Sequence, residues 1–221
     1  MKYHSIAIDG PAGAGKSTVA KKLAKKLNYV YIDTGAMYRA TTYKALSLGI
    51  DISDQNAFDF LDNTEFIFKA GELYMDSVNM TVLNRLKTVA DNVSLVASHI
   101  PVRNKLVNLQ QEIANNNDVC MDGRDIGTVV LKDADLKFFL VASVSVRAKR
   151  RFEELKALGM NQTLEFLIED IQRRDDLDSS REYNPLRQAE DAILIDTSDI
   201  SIDEVTDILY DKFIRKLKGD I

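Results

Sequence analysis

The chain holds a single cysteine, Cys120, among its 221 residues. An intramolecular disulfide and a cysteine zinc site are therefore excluded, which fits a reducing, cytoplasmic setting. Cys120 lies within an apolar run, where a thiol is expected to be buried and inert. Histidine is nearly as scarce: His4 and His99 stand far apart and are read as incidental. No apolar run approaches bilayer-spanning length, and the N-terminus lacks the apolar core of a signal peptide, so a soluble protein without a membrane partner is expected. The net charge is −5. The chain thus lacks the positive excess that a general nucleic-acid binder uses, although a local basic cluster can still hold a small anion. Internal repeats and low-complexity linkers are also missing. What is present is a 45% hydrophobic content, enough for a core and too much for a disordered chain. The length suits one domain with room for a small insertion.

The most informative stretch is Gly10-Pro11-Ala12-Gly13-Ala14-Gly15-Lys16-Ser17, followed by Thr18. Two glycines five apart, with Lys and Ser directly after the second, form the phosphate-binding loop pattern. The flanks agree. Ile6-Ala7-Ile8 closing on Asp9 reads as a strand, and Val19, Leu23 and Leu27 recur at helical spacing. Glycines let the backbone curl until several N–H groups face one anion, and the following helix adds the positive end of its dipole. Lys16 brings a mobile cation to the β- and γ-phosphates, and Ser17 offers a hydroxyl oxygen to Mg²⁺. A plain glycine turn between strand and helix would need none of this.

Four short apolar runs end in aspartate, at Asp9, Asp33, Asp122 and Asp196, and a fifth covers Leu136 to Val141. Continuous apolar character marks strands buried on both faces, and the helical patterns between them call for a parallel sheet with helices on each side. Ligands in such sheets sit beyond the carboxyl ends of the strands, so the aspartates would gather at the ligand edge. Asp196, followed by Thr-Ser-Asp, reads instead as a turn former. Thr34 is placed to cap a helix running to about Ser47, with Arg39 one turn in. Short β-prone runs over Glu65–Phe68, Leu73–Met75 and Val78–Val82, broken by turn residues, predict a small antiparallel meander. Helical patterns follow at about Val89–Ser98, from Pro101 to the Asn115-Asn116-Asn117 stop, over Ser143–Leu158 and over Ile202–Leu217. The division expected is a core of 1–62, 86–158 and 192–221, an insertion at 63–85 and a charged, mobile lid at 159–191. If the lid is helical, Arg174, Asp178 and Arg181 share a face.

Switch GTPases need a guanine-reading Asn-Lys-x-Asp. Asn104-Lys105-Leu106-Val107 lacks the aspartate and falls in a predicted helix. A small kinase fits the length better. Moving a phosphoryl group onto another phosphate brings two polyanions together and calls for several cations. Arg39, Arg124, Arg147, Arg150, Arg174 and Arg181 all fall near strand ends or in the lid. Their number leans toward a nucleotide acceptor, whereas an alcohol acceptor would favour a carboxylate base. The rivals are kinases of other small acceptors, such as adenylate, shikimate or gluconate, an ATP-binding regulatory module without transfer, and an ATP-driven interaction protein, which would need a large apolar partner surface.

Taken in order, Ile8–Thr18, Asp33-Thr34-Gly35-Ala36-Met37-Tyr38-Arg39, Asp122-Gly123-Arg124-Asp125-Ile126-Gly127-Thr128-Val129-Val130, and Arg174-Asp175-Asp176 with Arg181 and Pro185-Leu186 resemble bacterial cytidylate kinase over nearly the whole chain. The resemblance implies an α/β, P-loop NTPase-like, three-layer α/β/α fold with a five-stranded parallel sheet and a small antiparallel β insertion. It implies a monomer using ATP, Mg²⁺ and CMP or dCMP, with no nucleic-acid polymer. Carried over by position, Gly10 to Thr18 and Arg150 meet ATP. Arg39, Arg124 and Arg181 hold the acceptor phosphate. Ser94, Arg103 and Asp125 read cytosine. Thr34, where a serine also occurs in the family, joins Arg174 and Asp178 at the sugar. Asp122 either supports Mg²⁺ or orients Arg124. Lys16, Arg124, Arg174 and Arg181 are the implied catalytic residues.

Overall fold

The structure is a computed structural model that describes residues 3–69, 71–157, 159–160 and 162–220. The expected turn residue Ala70 and helix end Leu158 lie outside the described residues. The elements run β1 (Ser5–Asp9), α1 (Lys16–Leu27), β2 (Val30–Asp33), α2 (Thr34–Ser47), β3 (Phe66–Lys69), β4 (Glu72–Met75), β5 (Val78–Asn79), α3 (Lys87–Val96), α4 (Ile100–Asn115), β6 (Val119–Gly123), β7 (Leu136–Val141), α5 (Val144–Ala157), α6 (Leu164–Ser179), β8 (Ile193–Asp196) and α7 (Ile202–Lys218).

Five strands form one sheet in the order β2-β6-β1-β7-β8, and every pairing in it is parallel. Successive side chains of one strand serve opposite layers. Ile6, Ile8 and Cys120 join Val19 and Leu23 of α1 and Leu209 and Phe213 of α7. Ala7, Val119 and Met121 face the other way, toward Val107 of α4 and Ile126. Both layers are filled, which explains why these strands read as unbroken apolar runs. The result is an α/β/α stack. A side chain as large as Phe213, fully buried, contributes roughly 1.5–3 kcal/mol. A capping box starts α7, with Ser201 Oγ accepting from the Glu204 amide and Glu204 Oε2 accepting from the Ser201 amide.

The strands β3-β4-β5 make a separate antiparallel sheet. Asp76 and Ser77, both at positive φ, form the tight connection between β4 and β5. β5 stops at Asn79, short of the expected Val82, because Asn79 Oδ1 accepts from the Thr81 amide at 2.8 Å and starts a turn. Met75 and Met80 from this region share a core with Met37 of α2, Val93 of α3 and Leu106 of α4. A further small cluster, Ala148 and Leu155 of α5 with Leu167 and Ile171 of α6, seats α6 on α5. Among the described residues no helix is long and apolar enough to cross a membrane.

Candidate functional site

The sheet register sets Asp9 opposite Gly123 and Asp33 opposite Asp122, so three of the strand-end aspartates gather at one edge. Asp196 ends β8 at the far side, and its Oδ1 accepts from the Ser198 amide at 2.9 Å, a turn as expected. Between β1 and α1 the loop of residues 10–15 curls through three glycines at positive φ. At Gly10 a Cβ would lie 2.0 Å from the Leu140 carbonyl oxygen, so only glycine fits. α1 begins at Lys16, which leaves the amides of its first turn, Ser17 and Thr18 among them, without helical partners and available to an anion. Pro11, Ala12 and Ala14 complete the loop. Lys16 Nζ donates to the Pro11 carbonyl at 2.7 Å. Burial, and next the Arg124 guanidinium, lower its pKa to about 7.

Asp122 is the hub beside the loop. Its Oδ2 accepts from Ser17 Oγ at 2.7 Å and its Oδ1 from the Tyr31 hydroxyl at 2.9 Å. Burial, and then the neighbouring Asp33 carboxylate, raise its pKa to about 6. Thr34 Oγ1 donates to the Asp122 carbonyl at 2.7 Å. Thr34 therefore does not cap α2. Asp33 does, with Oδ1 accepting from the Ala36 amide at 2.8 Å. The two residues are adjacent and both are good caps, and the aspartate side chain takes the position. Asp33 Oδ2 also accepts from Arg39 Nη2 at 2.9 Å.

Arg124 is held by Asp178, not by Asp122: its Nε donates to Asp178 Oδ2 at 2.8 Å, while Arg181 Nη2 donates to Asp178 Oδ1. Burial pushes the Asp178 pKa up, but Arg124 and Arg181 more than reverse this and leave it below the usual carboxylate range. Arg174 belongs to the same group. Burial and Arg124 lower its pKa, with Arg39 adding to them, and its Nε is buried without a partner. Arg181 lies beyond the end of α6 at Ser179, so the one-face helical spacing holds only for Arg174 and Asp178. The chain bends at Ser180 and Arg181 folds back onto Asp178.

A second pairing lies deeper. Arg103 is 1% exposed, donates through Nη2 to Asp125 Oδ2 and through Nη1 to the Ala97 carbonyl at 2.9 Å, and lies over the Tyr38 ring. Burial raises the Asp125 pKa against the pull of Arg103. Ser94 is half-buried on α3, one turn before Ala97. Arg150 donates to the Thr197 hydroxyl at 3.0 Å and to the Thr197 carbonyl, with its Nη1 3.9 Å from where a Cβ on Gly15 would sit.

The profile of the family described as Cytidylate kinase matches residues 6–215. The chain belongs to the cytidylate kinase family. A cytidylate kinase of Bacillus pumilus is 52% identical over 95% of this chain and 96% of its own length. One from Clostridioides difficile is 50% identical over 94% and 96%. A solved structure of an uncharacterized protein from Eubacterium ventriosum has a TM-score of 0.56 at 15% identity, covering 95% of this chain and 98% of that one, and shares the fold.

Within this member of the cytidylate kinase family, three contacts at the site escaped the sequence reading. The Tyr31 hydroxyl on Asp122 spans 91 positions. Asp9 accepts the amides of Ile126 and Gly127 at 2.8 and 2.7 Å. Asp175 accepts from the Ala12 amide in the phosphate loop. Only the placement of Asp9 at a strand end had a sequence signal. The other two depend on how distant elements pack.

Proposed function

We propose that the chain transfers the γ-phosphoryl group of ATP to CMP or dCMP, giving ADP and CDP or dCDP, a step of pyrimidine nucleotide metabolism. The observation that carries this reading is the group of guanidinium ions from Arg39, Arg124, Arg174 and Arg181, set near Lys16 of the phosphate loop and balanced by Asp178. Two polyanions brought together need such a concentration of cations. Asp178 takes Nε of Arg124 and Nη2 of Arg181, Arg124 Nη1 also donates to the Gly123 carbonyl, and the remaining donors of the two forks are proposed to take the acceptor phosphate. Arg39 joins them there. Lys16 and the loop from Gly10 to Thr18 hold ATP, with Arg150 alongside. Thr34, Arg174 and Asp178 meet the sugar. The acceptor oxygen is already anionic, so proton removal by a strong base is unnecessary.

Asp125, beside Arg103, accepts from the N4 amine of cytosine, while the guanidinium donates to the acceptor edge of the base. Ser94 is proposed to read the same base. Uracil carries an oxygen in place of the amine and meets a carboxylate unfavourably. Ser17 Oγ and the Asp122 carboxylate, in contact at 2.7 Å, are hard oxygen donors that fit Mg²⁺. Among the described residues no group of three or more His, Cys, Asp or Glu side chains could hold a metal. When bound, Mg²⁺ would neutralise charge on the β- and γ-phosphates. Residues 63–85 and 159–191 are the parts proposed to close over CMP and ATP. The enzyme is proposed to act as a cytoplasmic monomer.

A coupled ADP-release assay across CMP, dCMP, UMP, AMP, shikimate and gluconate tests the reading. CMP and dCMP should be turned over at least about tenfold faster than UMP, as expected when a buried polar group is left unmatched. Equal rates on UMP would remove the cytosine assignment, and ATP binding without any acceptor-dependent turnover would favour a regulatory module. Lys16→Met should lower turnover on the order of 100-fold or more.

A further inference from the structure

The phosphate loop is gripped at Ala12 by two side chains that the reaction, as described, leaves unused. The Ala12 amide donates to Asp175 Oδ1 at 3.1 Å. The Ala12 carbonyl accepts from Arg147 Nη1 at 2.9 Å, and the same nitrogen pairs with Asp175 Oδ2. Arg147 Nε donates to the Ala142 carbonyl at 2.9 Å, just past β7. Both polar groups of one loop residue are therefore held by side chains from two helices, Arg147 from α5 and Asp175 from α6. Arg147 is 5% exposed. The loop lies directly on α5, since a Cβ at Gly13 would come within 3.0 Å of Arg147 Cβ and 3.3 Å of its carbonyl oxygen.

Asp175 directly follows Arg174 on α6. Apolar contacts seat α6 on α5, whereas its link to the donor loop is polar and runs through Asp175. We propose that Asp175 is a positioning residue for phosphoryl transfer: acting through Ala12 and Arg147, it fastens α6 to the phosphate loop so that Arg174 is presented to the phosphates. This rests on the kinase reading above and adds a residue to it. Without the clasp, α6 spends less time docked, and turnover falls with the docked fraction. ATP still finds its loop amides and Lys16, so its affinity stays close to that of the parent protein. Arg147 alone would be left buried without a counter-charge, a larger local fault than losing both members.

The experiment uses the full chain with Asp175→Asn, Asp175→Ala, Arg147→Gln and the double change Arg147→Gln/Asp175→Asn. Steady-state turnover, ATP titration calorimetry and amide hydrogen exchange of α6 in the ATP complex are measured on each. The expected result for Asp175→Asn is a kcat lowered about tenfold at saturating ATP and CMP, with an ATP dissociation constant within twofold and faster exchange along α6. The double variant should be no slower than the slower single one, because the two residues act as a unit. If Asp175→Ala fails to fold, the near-isosteric Asp175→Asn decides alone. A kcat within twofold of the parent, unchanged α6 exchange, or losses that multiply in the double variant would overturn the proposal. Failure of the kinase reading looks different: the parent chain itself would show no CMP-dependent ADP release, while exchange of α6 in the ATP complex would still report whether the clasp exists.

Discussion

Asp9 ends β1 with both carboxylate oxygens turned onto the backbone of another segment, the amides of Ile126 and Gly127. This ties the start of the phosphate loop to the turn that carries Arg124 and Asp125, so the donor and acceptor sides share one anchor. Burial raises the Asp9 pKa to about 7, and the two amides pull it back only in part. An unfolded aspartate gives up its proton near pH 4, at about 3.9. Between that value and about 7 the folded chain holds a proton that the unfolded chain has lost. Stability from this group therefore falls as pH rises through the window, by roughly 1.4 kcal/mol for each unit of the gap. Asp9→Asn has nothing to titrate there. The melting temperature of the natural chain minus that of Asp9→Asn should shrink as pH goes from 5 to 7.5 at fixed ionic strength. A difference that stays constant or widens would show that the amides keep Asp9 ionised throughout.

At the scale of elements, the end of β6 is the most crowded junction. A Cβ at Gly123 would lie 2.6 Å from Thr34 Oγ1 and 2.6 Å from Ile126 Cδ1. Thr34 is already committed to the Asp122 carbonyl. Gly123→Ala should therefore displace α2 from the turn at Ile126 and cost about 1–3 kcal/mol, the usual penalty for overpacking, read by urea unfolding. Its KM for CMP should rise more than that for ATP, because the added methyl meets Thr34 and Ile126 directly, whereas the start of the phosphate loop is joined to this junction only through Asp9. Unchanged stability and unchanged KM for CMP would refute the crowding argument. Elements of this kind were largely legible in the sequence. Strands buried on both faces gave unbroken apolar runs, and the glycine loop announced both its strand and its helix. Local ambiguity defeated finer points: Asp33 and Thr34 are neighbouring caps of similar strength, and nothing near Arg181 showed that α6 stops two residues earlier. Long-range contacts were illegible for a different reason. Tyr31 meets Asp122 only because β2 pairs with β6, and Asp175 meets Ala12 only because α6 folds back over the loop. No spacing rule spans 163 positions.

For the whole molecule, burial is unevenly shared. β1 and β6 lie inside the sheet with helices on both faces, and Ile6, Ala7, Ile8, Val119, Cys120 and Met121 are wholly buried. β3 and β5 expose Ile67 and Val78 by 43% and 51%, and α6 packs on α5 through a cluster of four buried and three partly buried hydrophobic residues. Regions with little buried apolar surface open at lower free energy than the global barrier. Amide hydrogen exchange of the free protein should therefore run slowest in β1 and β6, faster in β3–β5, and fastest in α6. Adding ATP and CMP together should slow α6 more than it slows the central strands, since the ligands supply further anions to Arg124, Arg174 and Arg181, which gather around Asp178 with Asp170 and Asp125 nearby. Adding CMP alone should protect the region around Arg103 and Asp125 before it protects the helix, because that pair is buried and already formed. Equal exchange in α6 and β1, or an α6 that both ligands leave unprotected, would mean that the charged segment is a fixed wall of the site and that closure takes place elsewhere.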